Sequence, residues 1–197
     1  MSSPPLARRE RLALCDRFEA LGPDAPTLDE GWVTADLAAH LVTREANPAA
    51  LPGLVVPGAP ARLTERLTAR TKSRRSYDQL IAALRSGPPL LPLGLPGLED
   101  RMHLHEFFVH HEDVRRANGD GPRPPDPELD KGLWRLVRTA GPLLARRVRG
   151  GVLAVRPDGT TARLRRGEPV ATLTGSPGEL LLLLFGRSVA QVDVTGP

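Results

Sequence analysis

Proline and glycine are not spread evenly through this 197-residue chain. Its 21 prolines and 19 glycines gather in blocks. Proline lacks an N–H and cannot continue a helix interior, so each block ends an element. The first block is Gly22-Pro23 with Pro26. Residues 47–60 hold four prolines and two glycines and read as a loop. Residues 87–97 form a second such connection, and Asn118-Gly119-Asp120-Gly121-Pro122 closes the series. The pieces between are of helix length. Residues 6–21 carry Leu12, Leu14, Cys15, Phe18 and Leu21 as a broad apolar side. Residues 34–45 repeat Leu37, Ala38, Leu41 and Val42 at helical spacing, with Thr34 placed to cap them. Residues 62–71 and 77–86 predict shorter helices, and residues 98–117 a long one.

The pattern changes after residue 122. Residues 127–148 suit one helix, kinked or interrupted at Gly141-Pro142. Residues 151–156 read as a strand, Pro157-Asp158-Gly159 as a hairpin turn, and residues 161–165 as the returning strand. A third strand is expected at 169–174. Ser176-Pro177-Gly178-Glu179 matches an N-cap with Pro first and Glu third, opening a helix over 177–186. A strand over 189–194 completes the reading. The expected class is α+β: an N-terminal helical bundle, residues 1–122, joined to a small C-terminal domain, residues 123–197. No internal repeat is present.

Composition bounds the partners. Hydrophobic residues make up 40% and charged residues 25%, as in ordinary globular proteins. Of 27 basic residues only Lys72 and Lys131 are lysines. Arg does not titrate away, which helps explain a pI near 10.1. A net charge of +4 spread along the chain argues against nucleic acid, which favours a concentrated basic face. The single Cys15 excludes an intrachain disulfide framework and fits a reducing cytoplasm. The N-terminus lacks a signal-peptide core. The longest apolar run, residues 180–185, is too short to span a bilayer. No membrane partner is expected.

The chemistry concentrates in Met102-His103-Leu104-His105-Glu106-Phe107-Phe108-Val109-His110-His111-Glu112-Asp113. Four of the five histidines fall here. Imidazole and carboxylate together suit zinc or a similar divalent ion. On a helix, Glu106 and His110 lie about 60° and about 20° from His103, on the same side, with His105 and His111 off that stripe. The fifth histidine, His40, sits at the edge of an apolar helix face. A bundle can point it across at Glu106 and His110, completing a His/Glu/His set. Three protein ligands leave a position open for water or a substrate atom, as in catalytic rather than structural zinc sites.

Each residue also has a plainer reading. His40 can be a packed, hydrogen-bonded side chain, and a Glu-x-x-x-His spacing is common. His105 and His111 read as solvated or hydrogen-bonded. Glu112, Asp113, Arg115 and Arg116 read as a local ion-pair cluster. Trp32 reads as a bundle plug, and Cys15 as a small buried hydrophobe.

Two stretches carry a family resemblance. Gly22-Pro23-Asp24-Ala25-Pro26-Thr27-Leu28-Asp29-Glu30-Gly31-Trp32-Val33-Thr34-Ala35-Asp36-Leu37-Ala38-Ala39-His40-Leu41-Val42 resembles the second-helix motif of the mycothiol-dependent maleylpyruvate isomerase family, in the DinB-like superfamily. Glu106-Phe107-Phe108-Val109-His110-His111-Glu112-Asp113-Val114-Arg115-Arg116-Ala117 is similar to that family's other metal-binding motif, in a subgroup known mainly for binding metal. Leu173-Thr174-Gly175-Ser176-Pro177-Gly178-Glu179-Leu180-Leu181-Leu182-Leu183-Leu184-Phe185-Gly186-Arg187 resembles its small α/β domain, related to sterol-carrier folds.

The resemblance implies a DinB-type four-helix bundle holding zinc, or another divalent ion such as Ni2+ or Fe2+, through His40, Glu106 and His110. It implies a low-molecular-weight thiol at the open position, mycothiol in actinobacteria, used for transfer or isomerisation. His103 stands where such sequences often carry Asn. It is either a fourth ligand or a neighbour of the ion, and the expectation here is a neighbour. Arg187 can hold a substrate or thiol carboxylate by a bidentate contact; a surface salt bridge is the plainer reading. The leading expectation is therefore a cytoplasmic, metal-dependent enzyme, monomer or homodimer, acting on a thiol and an electrophilic substrate. The alternative is a non-enzymatic metal- or small-ligand-binding protein.

Overall fold

The computed structural model describes residues 4–46, 59–87 and 98–196. These residues form an α+β structure of seven α-helices and one four-stranded sheet. The helices are α1 Leu6–Leu21, α2 Thr34–Ala46, α3 Ala59–Arg74, α4 Tyr77–Ser86, α5 Leu98–Ala117, α6 Pro127–Leu144 and α7 Pro177–Leu184. The strands are β1 Gly151–Val155, β2 Thr161–Arg165, β3 Val170–Thr174 and β4 Asp193–Thr195. The chain divides into two compact units, residues 1–99 with 110–120 and residues 100–109 with 121–197. The continuous helix α5 contributes turns to both. None of the described helices is long and apolar enough to cross a membrane.

In the first unit α1 packs on α4, and α2 packs on α3 and α4. The buried face of α1 is Leu6, Ala7, Glu10, Arg11, Leu14, Cys15 and Phe18. This corrects the apolar side read from sequence, because Leu12 and Leu21 are only half-buried and two charged residues lie inside. Arg11 is tolerable there because its guanidinium meets Glu45 at 2.7 Å and Glu99 at 3.0 Å. Cys15 is buried as expected, and desolvation pushes its thiol up to about 12. Ser76 and Gln79 form a capping box at the start of α4. Helix α3 begins before the expected residue 62, with Pro60 in the first turn, where its missing N–H is not needed. Residues 47–58 of the expected loop over 47–60, and residues 88–97 of the expected connection over 87–97, lie outside the described residues.

In the second unit α6 packs against α7 and β2. The buried face of α6 is Leu129, Leu133, Trp134, Leu136, Val137 and Gly141. Pro142 does not break this helix; the α-helix runs to Leu144 and tightens into a 3₁₀ turn over Ala145–Arg147. So close to the end, Pro142 removes one backbone bond and leaves the earlier turns intact. The sheet order is β2-β1-β3-β4, with β1 parallel to β3 and the outer pairs antiparallel. The last strand is shorter than the expected 189–194. The Gln191 N–H goes to the Glu179 carboxylate at 2.7 Å, and Ala190 N–H to the Arg187 carbonyl at 3.2 Å, so strand pairing starts only at Asp193.

Candidate metal centre

Two segments of the first unit converge on the C-terminal half of α5. The first is the loop after α1. Gly22 ends that helix with φ at 79°, and its carbonyl accepts the Thr34 hydroxyl. Thr34 N–H then donates to Ala25 at 2.9 Å and Ala35 N–H to Pro23 at 3.0 Å. Loop carbonyls thus satisfy the first donors of α2. Thr34 does not cap the helix, as its spacing suggested; its hydroxyl points back to the loop. The same loop is tied to α5: Leu28 N–H donates to the Asp113 carbonyl at 3.2 Å, and the Asn118 amide donates to Pro26 at 3.0 Å. These bonds hold Asp29 and Trp32 beside His110 and His40. Helix α2 is the second segment and carries His40.

The end of α5 is fixed as well. Asp120 N–H bonds the Arg115 carbonyl and Gly119 N–H the Arg116 carbonyl, with Gly119 at φ 89°. This is a Schellman termination, which needs the left-handed glycine. Glu112 is buried and takes Arg115 at 2.6 Å and Arg116 at 2.8 Å. That part of the expected ion-pair cluster is present.

Asp113 is fully buried, and its Oδ2 lies 2.9 Å from His110 Nδ1. Asp29 Oδ2 lies 3.5 Å from the same nitrogen. An imidazole that donates through Nδ1 keeps Nε2 as a lone pair, free to ligate. The rings of His40 and His110 are 5.5 Å apart at 73°, and the Trp32 ring meets His40 edge-on at 5.1 Å. Glu106 is buried one turn before His110 on α5. His40, Glu106 and His110 each offer one ligand atom, and these atoms all lie within 4.8 Å of one another.

A second group, Asp29, His110 and Asp113, meets the same distance test. It shares His110 with the first, and geometry separates them. Ligand atoms about 2.0 Å from a tetrahedral ion stand roughly 3.3 Å apart. The 2.9 Å between His110 Nδ1 and Asp113 Oδ2 is a hydrogen-bond distance instead. Asp113 therefore orients His110, as carboxylates commonly do for metal-binding histidines. Sequence reasoning missed this role. The i, i+3 spacing from His110 to Asp113 on one helix was the available signal.

The other histidines belong elsewhere. His103 is half-buried with its ring 6.3 Å from Phe107, and it joins neither group. His105 stacks on Phe185 at 5.8 Å. His111 is buried and pairs with Glu10 at 3.1 Å. Trp32, read as a plug, is half-buried and serves as a wall to His40. Arg187 follows α7. Its backbone is fixed by a second Schellman termination at Gly186, and its guanidinium donates to the Phe185 carbonyl at 3.0 Å.

No protein-family model matches the sequence, and no curated protein does. Solved structures do match. The fold is similar to that of the mycothiol-dependent maleylpyruvate isomerase, with a TM-score of 0.60 over 96% of this chain and 90% of that one, at 16% identity. A mutant of that isomerase with one histidine replaced by alanine matches to the same extent. Identity this low makes the likeness one of fold.

Proposed function

We propose that this protein holds a divalent metal ion, zinc by the character of its donors, through His40, Glu106 and His110, and uses it to activate a low-molecular-weight thiol such as mycothiol for transfer or isomerisation of an electrophilic substrate. The observation that carries this reading is the convergence of the three donors within 4.8 Å, with a buried carboxylate on His110. A fold shared with a mycothiol-dependent isomerase supports it. Residues 1–122 are read as a DinB-type four-helix bundle and residues 123–197 as a sterol-carrier-like domain, working in the cytoplasm.

A two-histidine, one-carboxylate set fits zinc with a position left open. When bound, such an ion lowers the pKa of a thiol or water and so supplies a nucleophile near neutral pH. The protein's own residues do the rest. Asp113 accepts a hydrogen bond from the Nδ1–H of His110 and so fixes its tautomer. Trp32 covers one side of His40 and limits water there. Arg187 is assigned to orient an anionic group of the thiol or substrate, because a guanidinium matches a carboxylate in a bidentate contact.

Elemental analysis of purified protein tests the metal: close to one equivalent is expected, mostly lost in His110→Ala. Metal content unchanged in both His40→Ala and His110→Ala would remove the assignment. Calorimetry with mycothiol tests the rest, with binding expected to the metallated form alone and weakened in Arg187→Ala. Metal without any thiol binding would leave a metal-binding protein and no thiol enzyme.

A further inference from the structure

The charge of this chain is not spread evenly. From residue 131 to 167 there are ten basic side chains and one acidic, Asp158. These 37 positions therefore carry +9 while the whole chain carries +4, so the remainder is net −5. The one acid is already engaged, with Arg156 at 3.3 Å.

The second unit gathers most of these residues on one surface. Lys131, Arg135 and Arg138 follow at i, i+4 and i+7 along the exposed side of α6, opposite its buried face. Arg146, Arg147 and Arg149 continue from the 3₁₀ turn and are exposed. Arg166, just after edge strand β2, is exposed too, while Arg163 alternates with Leu164, whose side chain lies against Gly141 of α6, and so points to the other face of the sheet. The two parts adjoin, because Arg165 donates to the Arg146 carbonyl at 2.7 Å and the Gly150 carbonyl at 2.9 Å. Among the described residues, no carboxylate forms an ion pair with Arg135, Arg138, Arg146, Arg147, Arg149, Arg163 or Arg166.

Exposed apolar side chains sit within this field. Leu143 is 57% exposed and Val148 43%, beside an exposed Pro142. Aliphatic groups projecting among guanidiniums gain nothing from a polyanion that offers only phosphates. They gain where anionic groups border an apolar layer, as at a phospholipid surface. A single-stranded nucleic acid would instead call for aromatic side chains to stack on its bases. The nearby Trp134 is buried, with Arg156 over its ring.

We propose that the exposed side of α6, the following 3₁₀ turn and the end of β2 form a docking surface for an anionic phospholipid bilayer, with the arginines at the headgroups and Leu143 and Val148 entering the interface. This is independent of the metal reading. Vesicle co-flotation of the full-length protein tests it, comparing phosphatidylcholine with mixed phosphatidylcholine and phosphatidylglycerol. Binding is expected only with the anionic lipid, and lost as salt rises from about 0.05 M to about 0.5 M. Arg135→Gln with Arg138→Gln should weaken it about twenty-five-fold, about fivefold for each guanidinium. Leu143→Ser should weaken it about tenfold. All three positions are exposed, and an unchanged melting temperature certifies the fold. The proposal is overturned by absence of binding to anionic vesicles at low salt. It is also overturned if Leu143→Ser binds like the parent protein, or if a DNA duplex of arbitrary sequence binds more tightly than the vesicles.

Discussion

The two units place their charges in opposite ways. The first buries them: Glu10, Arg11, Glu99, His111, Glu112 and Asp113 all lie inside. The second buries fewer charges, Glu106 and Glu179, in a mainly apolar interior that includes Phe107, Phe108, Val152, Ala154, Leu173 and Leu180–Leu182, and carries most of its arginines outside. A buried charge must be matched, so each one in the first unit fixes a neighbour: Arg11 fixes Glu45 and Glu99, Glu10 fixes His111, and Asp113 fixes His110. Such an interior positions ligands but tolerates little change. Unmatched charges on a surface constrain no neighbour and remain available to a partner.

The contrast predicts where substitution hurts most. Arg11→Ala would leave Glu45 and Glu99 facing each other in the interior, and stability should fall by about 3–5 kcal/mol. Trp32 belongs to the first unit and Trp134 to the second, so urea unfolding followed by fluorescence in a Trp134→Phe background reads the first unit alone. Replacing Arg11, Glu45 and Glu99 together by leucine should recover most of the loss. A loss below about 1 kcal/mol in Arg11→Ala would show that the buried charges are not interdependent.

Asp113→Ala should act next most strongly, and on metal more than on fold. Without its carboxylate, His110 loses the partner that fixes its ring and tautomer, and metal affinity should drop about 10–100-fold. Competition with a chromophoric chelator measures this directly. An unchanged affinity would return Asp113 to the structural ion-pair role first read for it.

That reversal shows what a sequence exposes. Periodicity and Pro/Gly punctuation marked the bounds of α1, α4 and α5, because these follow from local spacing. The convergence of His40 with Glu106 and His110 was one of two open readings of the helix faces, and the family resemblance implied it. Polar groups turned inward were less legible. Glu10 and Arg11 lie on the same face of α1 as Leu14 and Phe18, although their own charge would assign them to solvent. Their burial depends on Glu45, Glu99 and His111, which are distant in sequence. Thr34 had the chemistry of a cap, but loop carbonyls took that role, and no local pattern announces such a competition. The basic surface was hidden by averaging, since net charge over the whole chain cancelled it.

Packing in the second unit offers a smaller effect. A Cβ added at Gly178 would come 2.8 Å from Phe108 Cζ and 3.6 Å from Leu133 Cδ1. Phe108 is buried under Arg123, whose guanidinium lies 5.0 Å above its ring, so it has little room to retreat. Gly178→Ala should therefore cost about 1–3 kcal/mol, by overpacking rather than by lost charge pairing. Unfolding followed by Trp134 in a Trp32→Phe background reads it. A neutral result would show that this interior adapts more readily than its aliphatic packing implies.

The smallest change is expected where the charge is densest. Arg135 and Arg138 are exposed on α6 and stand one turn apart, a spacing at which like charges repel by a few tenths of a kcal/mol. Neither guanidinium has an ion pair to lose, and alanine is the stronger helix former. Arg135→Ala with Arg138→Ala should therefore shift stability by less than about 0.5 kcal/mol, toward greater stability if at all. Raising the salt concentration should shrink even that gain by screening the repulsion in the parent protein. The same pair of positions should matter strongly for binding to anionic vesicles. A stability loss above about 1 kcal/mol in the double variant would mean that the exposed arginines also hold the fold together, and the contrast between the two units would fail. A neutral fold with weakened vesicle binding would separate the two roles: charge inside the first unit serves structure and ligand placement, and charge outside the second serves a partner.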